Sequence, residues 1–261
     1  MEGYEAATYG DRFADVYDDW YADVTDVDAC VARLAALAAD TGGPVLELGV
    51  GTGRLALPLA ALGLDVRGVD ASDAMLARLR AKAGGADVAV VAADLASFDP
   101  PTRPDDPDDG VAFGVVYVAY NTLFNVADRD GQAACLQRVA QVLRPGGIFV
   151  VEAFVPPDDD GVDATSGGQD GVAVRTLTAD RVVLSVARHD AAAQTMSGQF
   201  VDITEAGIRL RPWHLRYLTP PQLDALADEV GLELVHRWAG WARQPFDDRA
   251  RSHVSVYRRA L

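Results

Sequence analysis

The chain has 261 residues, 49% of them hydrophobic and 24% charged, enough apolar material for one large α/β body with an insertion and the wrong profile for a disordered or fibrous protein. With 39 acidic against 23 basic side chains the formal net charge is -16, which opposes binding to a nucleic-acid backbone or an anionic membrane. Two cysteines make no disulfide framework, no apolar run approaches a bilayer span and the N-terminus lacks a basic-then-apolar leader, so a cytoplasmic protein without nucleic-acid or membrane partners is expected.

Residues 9–21 carry Tyr9, Phe13, Tyr17, Trp20 and Tyr21, and a terminal segment so rich in amphipathic rings is expected to cover something. Residues 26–41 then place Val27, Cys30, Val31, Leu34, Leu37 and Ala38 at helical spacing. A short apolar strand at 45–48 leads into a glycine-rich turn and a helix over 54–64. A second strand at 66–69 is followed by Ser72 as N-cap of a helix that buries Met75, Leu76 and Leu79. Residues 88–92 form a third strand, and 99–110, rich in proline and aspartate, an exposed loop.

Strand 113–119, helix 132–143 and strand 148–154 continue the alternation, which implies a parallel, doubly wound sheet. The rhythm changes at 172–177, 181–189, 195–203 and 207–217, four β-rich stretches separated by short polar turns. A helix at 220–230 with proline at its start and strands at 232–239 and 252–257 complete the chain. The expected fold is α/β: a doubly wound, Rossmann-like, mostly parallel seven-stranded sheet with an antiparallel β meander inserted after strand five. Its expected parts are an aromatic lid (1–25), a cofactor-binding core (26–155), an inserted element for lid or oligomer contacts (156–218) and the end of the core (219–261). Arg249, Arg251, Arg258 and Arg259 read as the solvent side of the last strand and its flanks.

The chemistry starts at Glu47-Leu48-Gly49-Val50-Gly51-Thr52-Gly53, where Gly49, Gly51 and Gly53 let a backbone approach a ligand closely. A dinucleotide fingerprint places its third glycine three residues after the second, and Arg54 stands there instead. Asp70 ends the second strand, where an acid can accept from both hydroxyls of a ribose. Tyr117, Tyr120 and Asn121 leave the fourth strand at the crevice, and Glu152 ends the fifth. His214 is the best base or substrate-binding candidate among four histidines, with His189, His236 and His253 read as solvent or sheet residues. No HExxH, CxxC, P-loop or G-x-S-x-G spacing occurs.

The acid-then-GxGxG loop, the Val69-Asp70-Ala71-Ser72 and Ala92-Ala93-Asp94-Leu95 strand ends, and Leu143-Arg144-Pro145-Gly146-Gly147 together resemble the class I S-adenosylmethionine-dependent methyltransferases over nearly the whole chain. The aromatic lid and the meander look closest to amino-sugar, lincosamide and peptide N-methyltransferases of antibiotic pathways. The resemblance implies S-adenosylmethionine as methyl donor and S-adenosylhomocysteine as product. It assigns Glu47, Gly49, Gly51 and Gly53 to the cofactor loop, Asp70 and Ala71 to the ribose, and Met75, Asp94 and Leu95 to the adenine. It brings Tyr9, Tyr17 and Tyr21 to the cofactor's carboxylate, its sulfonium or the acceptor, and with Tyr117 and His214 these form the expected catalytic and cofactor-facing set. A small, amine-bearing acceptor and N-methylation are expected, with a homo-oligomer formed through the meander. The alternatives are O-methylation of a hydroxyl, a NAD-dependent oxidoreductase, and a non-catalytic binder.

Overall fold

The computed structural model describes residues 1–22, 24–102, 112–156 and 170–261, so most of the proline-rich loop and the start of the insertion lie outside the described residues. Two short helices, α1 (Thr8–Phe13) and α2 (Tyr17–Trp20), precede α3 (Val27–Thr41), which Asp26 caps by accepting from the Ala29 amide. Then come β1 (Val45–Leu48), α4 (Ala56–Ala61), β2 (Val66–Asp70), α5 (Asp73–Ala81) and β3 (Ala89–Ala92). After these run β4 (Phe113–Val118), α6 (Arg129–Val142) and β5 (Leu143–Phe154). The meander is β6 (Gly171–Leu177), β7 (Arg181–Asp190), β8 (Thr195–Thr204) and β9 (Gly207–Arg216). Helix α7 (Pro220–Glu229) and strands β10 (Leu232–Trp238) and β11 (Ser252–Arg259) close the chain.

Seven strands pair in the order β10-β11-β5-β4-β1-β2-β3, and only β11 runs against its neighbours. The chain leaves β1 towards β2 and β3 on one side and returns through β4 and β5 on the other. The carboxyl ends of β1 and β4 therefore flank a switch point, where open α/β sheets bind ligands. Alternate residues of the central strands feed two cores: Leu46, Leu48, Val116 and Val118 face α6 and α7, whereas Val45, Val115 and Tyr117 face the side covered by α3 and α4.

The boundaries differ from the sequence expectation for local reasons. Helix α4 starts at Ala56 because the turn through Gly51 (φ 53°) and Gly53 (φ 83°) carries the chain past Arg54 before helical geometry begins. Helix α6 starts early, at Arg129, because Asp128 accepts from the Gly131 amide and caps it. Strand β5 begins at Leu143, which pairs with Phe113 before the register shifts and Ile148 pairs with Val115.

The meander has two unlike faces. Its paired rows Val174-Leu184-Val201-Leu210 and Leu177-Val182-Ile203-Ile208, with Val172 and Val186, lie on one face. Val172, Val174, Leu177, Ile208 and Leu210 are more than half exposed there. The opposite face carries Phe200, Asp202, Arg211 and Trp213 against the lid, where the Phe200 ring lies 5.9 Å from Phe13 and 5.6 Å from Trp20.

Candidate functional site

A cavity of about 260 Å³ opens at the switch point, at the small end of ligand sites, which run from roughly 300 Å³ upward. Its floor is the glycine loop. A Cβ on Gly49 would come 2.2 Å from Thr122 Cγ2, whereas one on Gly51 would meet nothing nearer than 3.9 Å and would stand in the space of the cavity. The lack of a side chain at Gly51 thus leaves this part of the cavity open. Gly53 lies off the cavity, packed on Leu57.

Asp70 is tied into this floor from both oxygens: Oδ2 accepts from the Gly51 amide at 2.8 Å and Oδ1 from the Ser72 amide at 2.9 Å. Each oxygen keeps acceptor capacity for a further donor. Burial raises its pKa, while the Ser72 and Gly51 amides work in the opposite direction. Ala71 and Met75 line the cavity beside it. Asp94 and Leu95 line the next stretch of wall, where Asp94 Oδ1 accepts from the Ala96 amide at 2.8 Å. Asp94 therefore caps a turn and faces the cavity at once.

The opposite wall, formed by Thr122, Asn125, Val126 and Asp128, carries none of the residues expected from sequence, nor does Tyr4 in the lid. The crevice rule pointed at the exit of β4, but the short helical turn over Thr122–Asn125 gave no pattern to read.

Helix α1 roofs the cavity by resting on the Ser72 loop, where a Cβ on Gly10 would stand 2.4 Å from Ser72 Cβ. Three acids fasten the lid to three different elements. The Ser72 hydroxyl donates to Asp11 at 2.6 Å, Arg211 donates to Asp15 at 2.5 and 3.0 Å, and Thr52 and Lys82 donate to Asp18 at 2.5 and 3.0 Å. Sequence reading missed all three, since aspartates in a polar segment look like a solvated face.

Beneath the roof four phenols converge. Tyr9 and Tyr17 line the cavity, and Tyr21 backs them, its ring 4.8 Å from that of Tyr17 and 5.8 Å from that of Tyr120. Tyr9 and Tyr21 share a hydrogen bond between their hydroxyls. Burial raises the pKa of all four, so at neutral pH they remain protonated hydrogen-bonding groups and polarised ring faces. Tyr120 and Asn121 adopt positive φ, 48° and 64°, a costly conformation for a tyrosine. Glu152 holds them there: its carboxylate accepts from the Tyr120 amide at 2.9 Å and its carbonyl from the Asn121 amide at 3.0 Å. Asn121 Oδ1 accepts in turn from the Phe154 amide at 2.6 Å.

Two expected catalytic residues stand elsewhere. Tyr117 is completely buried on the α3 side of β4, away from the cavity, and its hydroxyl donates to Glu47 at 2.7 Å. Glu47 lies on the same side of the adjacent strand β1, with its pKa pushed up to about 8 by burial, against the Tyr117 hydrogen bond and the Arg54 charge. Both residues support the loop from beneath. His214 sits on the outward row of the meander with Leu210 and Pro212, its Nδ1 2.7 Å from Ser197 Oγ. It reaches the cavity only through Tyr4, whose ring meets it edge-on at 5.8 Å. His253, a sheet residue as expected, is fully buried on β11.

Residues 45–147 match the family model described as a methyltransferase domain. The chain is 39% identical to the CcbJ methyltransferase of Streptomyces caelestis, whose solved structure superposes with a TM-score of 0.83 over 99% of this chain and 100% of that one. It is 29% identical over 222 residues to the cypemycin N-terminal methyltransferase of a Streptomyces species, covering 84% of each. The sugar N-methyltransferase KedS8 of Streptoalloteichus, 22% identical, shares the fold over 100% of this chain and 99% of its own with a TM-score of 0.68. With the glycine loop, the doubly anchored Asp70 and the roofed switch-point cavity, these matches make the chain a member of the S-adenosylmethionine-dependent methyltransferases.

Proposed function

We propose that this enzyme methylates the neutral amine of a small molecule. The observation that carries the reading is the phenol cluster. Tyr9, Tyr17, Tyr21 and Tyr120 all have raised pKa values, so the centre of the site offers hydrogen bonds and ring faces but no phenolate base. A neutral amine needs none before it attacks, whereas a hydroxyl benefits from a positioned base. The names of the cypemycin N-terminal methyltransferase and of KedS8, a sugar N-methyltransferase, support nitrogen as the acceptor atom. O-methylation of a small-molecule hydroxyl is the alternative.

In this reading Asp70 accepts from the ribose hydroxyls beside Ala71. Asp94 and the Leu95 amide meet the adenine edge, Met75 packs on the ring, and the methionine portion crosses Gly49 and Gly51. Glu47 and Gly53 keep the loop in shape. Bound S-adenosylmethionine supplies an already activated methyl on a sulfonium. What is left to the protein is to hold the acceptor in line and exclude water. Tyr9 and Tyr17, backed by Tyr21, turn aromatic faces towards the cationic centre. Residues 1–25 act as lid, 26–155 and 219–261 as cofactor core, and 156–218 as a cover for the lid and a subunit contact. The exposed apolar rows on the outside of the meander are the surface on which a second copy of the chain would pack, burying side chains otherwise left in water. No helix among the described residues is long and apolar enough to cross a membrane, and the proposed place of action is the cytoplasm.

The test is incubation with S-adenosylmethionine and matched panels of small amines and phenols, followed by mass spectrometry of the acceptors. Methylated amines with S-adenosylhomocysteine are expected. Methylation confined to hydroxyls would overturn the choice of acceptor, and stabilisation by NADH but not by S-adenosylmethionine would overturn the cofactor roles.

A further inference from the structure

The outer side of the lid borders a second cavity, of about 770 Å³, that shares no lining residue with the one at the switch point. Three elements meet around it: α1 with the turn that follows, the α5 face carrying Ala74 and Arg78 one helical turn apart, and β9, the last strand of the meander sheet. Tyr9 and Gly10 line the switch-point cavity, whereas Asp11, Arg12, Ala14 and Asp15 line this outer groove. The lid thus has a cavity on each side.

The charge of the outer wall departs from that of the molecule. It carries four arginines, Arg12, Arg78, Arg209 and Arg211, against two aspartates, Asp11 and Asp15, in a chain of net charge -16. Both aspartates are engaged, Asp11 by the Ser72 hydroxyl and Asp15 by Arg209 and Arg211. Arg12 and Arg78 are exposed and form no ion pair with a described residue, although the Arg78 charge is felt at Asp18. Arg211, by contrast, is almost wholly buried. Its two terminal nitrogens donate to Asp15, yet its Nε has no hydrogen-bond partner among the described residues, and neither has the buried Oε1 of Gln199 on the same wall. Buried polar atoms are seldom left unpaired, so a wall that leaves two is not completed by the protein's own groups.

Guanidinium groups arriving from α1, α5 and β9 suit a multiply charged oxyanion, because a phosphate offers several acceptors at once and each guanidinium can meet it through two parallel N–H donors. Ala14, Ala74 and Pro212 supply apolar surface beside them. We propose that this groove is an effector site for a small phosphate-bearing molecule, which ties the lid to α5 and β9 and so keeps α1 seated on the Ser72 loop. Because α1 also roofs the switch-point cavity, an effector that favours the seated lid strengthens cofactor binding, and the cofactor strengthens effector binding by the same factor.

Phenyl phosphate is a suitable probe, titrated calorimetrically at constant ionic strength into the protein with and without saturating S-adenosylhomocysteine. One saturable site is expected in the loaded protein, at least about fivefold tighter than in the free protein, and saturating phenyl phosphate should tighten S-adenosylhomocysteine by the same factor. Arg12→Gln and Arg78→Gln should each weaken the probe by about fivefold or more, while affinity for S-adenosylhomocysteine without the probe stays within about twofold of wild type. Both side chains are exposed, so both variants are expected to fold. No saturable binding to the loaded protein, binding that both variants retain in full, or an affinity for S-adenosylhomocysteine that the probe leaves unchanged or lowers would overturn the proposal. S-adenosylhomocysteine is the product whichever atom is methylated, so these outcomes do not depend on the acceptor being an amine.

Discussion

The hydroxyl of Thr52 donates a 2.5 Å hydrogen bond to the carboxylate of Asp18, joining the glycine loop directly to the second lid helix. Lys82 completes the junction by donating to Asp18 and to the Thr52 carbonyl at 2.8 Å. Asp18→Ala should therefore loosen the lid without unfolding the core. Cofactor affinity should fall several-fold and dissociation should quicken, with the melting temperature nearly unchanged because the aspartate is partly exposed. Stopped-flow release of S-adenosylhomocysteine measures it, and wild-type release rates would refute the latch.

Asp70 both shapes the floor and faces the cavity. Replacing it with alanine frees the Gly51 and Ser72 amides and removes the acceptor proposed for the ribose, so cofactor binding should weaken by about 100-fold, in keeping with two lost charged hydrogen bonds. Isothermal calorimetry checks the value. Unchanged affinity would remove Asp70 from the site.

The pKa of Glu47, raised from 4.5 to about 8 by burial, makes it a source of pH-dependent stability. Between those two values the folded protein holds a proton on Glu47 that the unfolded chain has lost. Its contribution is full below pH 4.5 and falls as pH rises through about 8. Urea unfolding across this window should show wild-type stability falling more steeply with pH than that of Glu47→Gln. Identical slopes would show that the carboxyl does not hold its proton.

Tyr117→Phe removes the hydroxyl that donates to Glu47 inside the core. We expect a loss of about 1–3 kcal/mol from the unsatisfied buried acceptor, with KM for the acceptor unaltered. Tyr17→Phe should do the reverse, lowering kcat while leaving the melting temperature within a degree or so of wild type, because this phenol lines the cavity. Denaturation and steady-state kinetics on the pair distinguish a supporting tyrosine from one that meets the reactants.

On the outer face of the meander, Leu210→Glu would set a charge at the β9 end of the apolar row it shares with Val174, Leu184 and Val201. If two copies meet there, sedimentation should show a dimer for the wild type and a monomer for the variant. A wild-type monomer at all accessible concentrations would exclude the contact.

The fold was legible where burial writes simple patterns. Strands β1 and β4 are buried from end to end and apolar but for Glu47 and Tyr117 because both faces are covered, and Ser72 and Pro220 announce the starts of their helices. Gly49, Gly51 and Asp70 could be placed because their spacing follows from what a ligand needs of a backbone. What could not be read was which way a side chain faces once strands pair. Tyr117 looked like a crevice residue until its register with Glu47 put both on the α3 side. His214 likewise depended on the parity of β9. The lid aspartates and Arg54 carry no pattern of their own, and their partners lie far away in the chain.

Gly10 sets how closely the lid can seat. Helix α1 rests on Ser72 at a distance that leaves no room for a Cβ, so any side chain at position 10 would hold the roof off its seat. If exchange of product for fresh donor unseats the helix, the links at Asp11, Asp15 and Asp18 break together, and the expected outcome is a kcat that falls with solvent viscosity because a door limits turnover rather than the chemistry beneath it. Added salt, by weakening the exposed Arg209–Asp15 and Lys82–Asp18 pairs, should make that door swing faster.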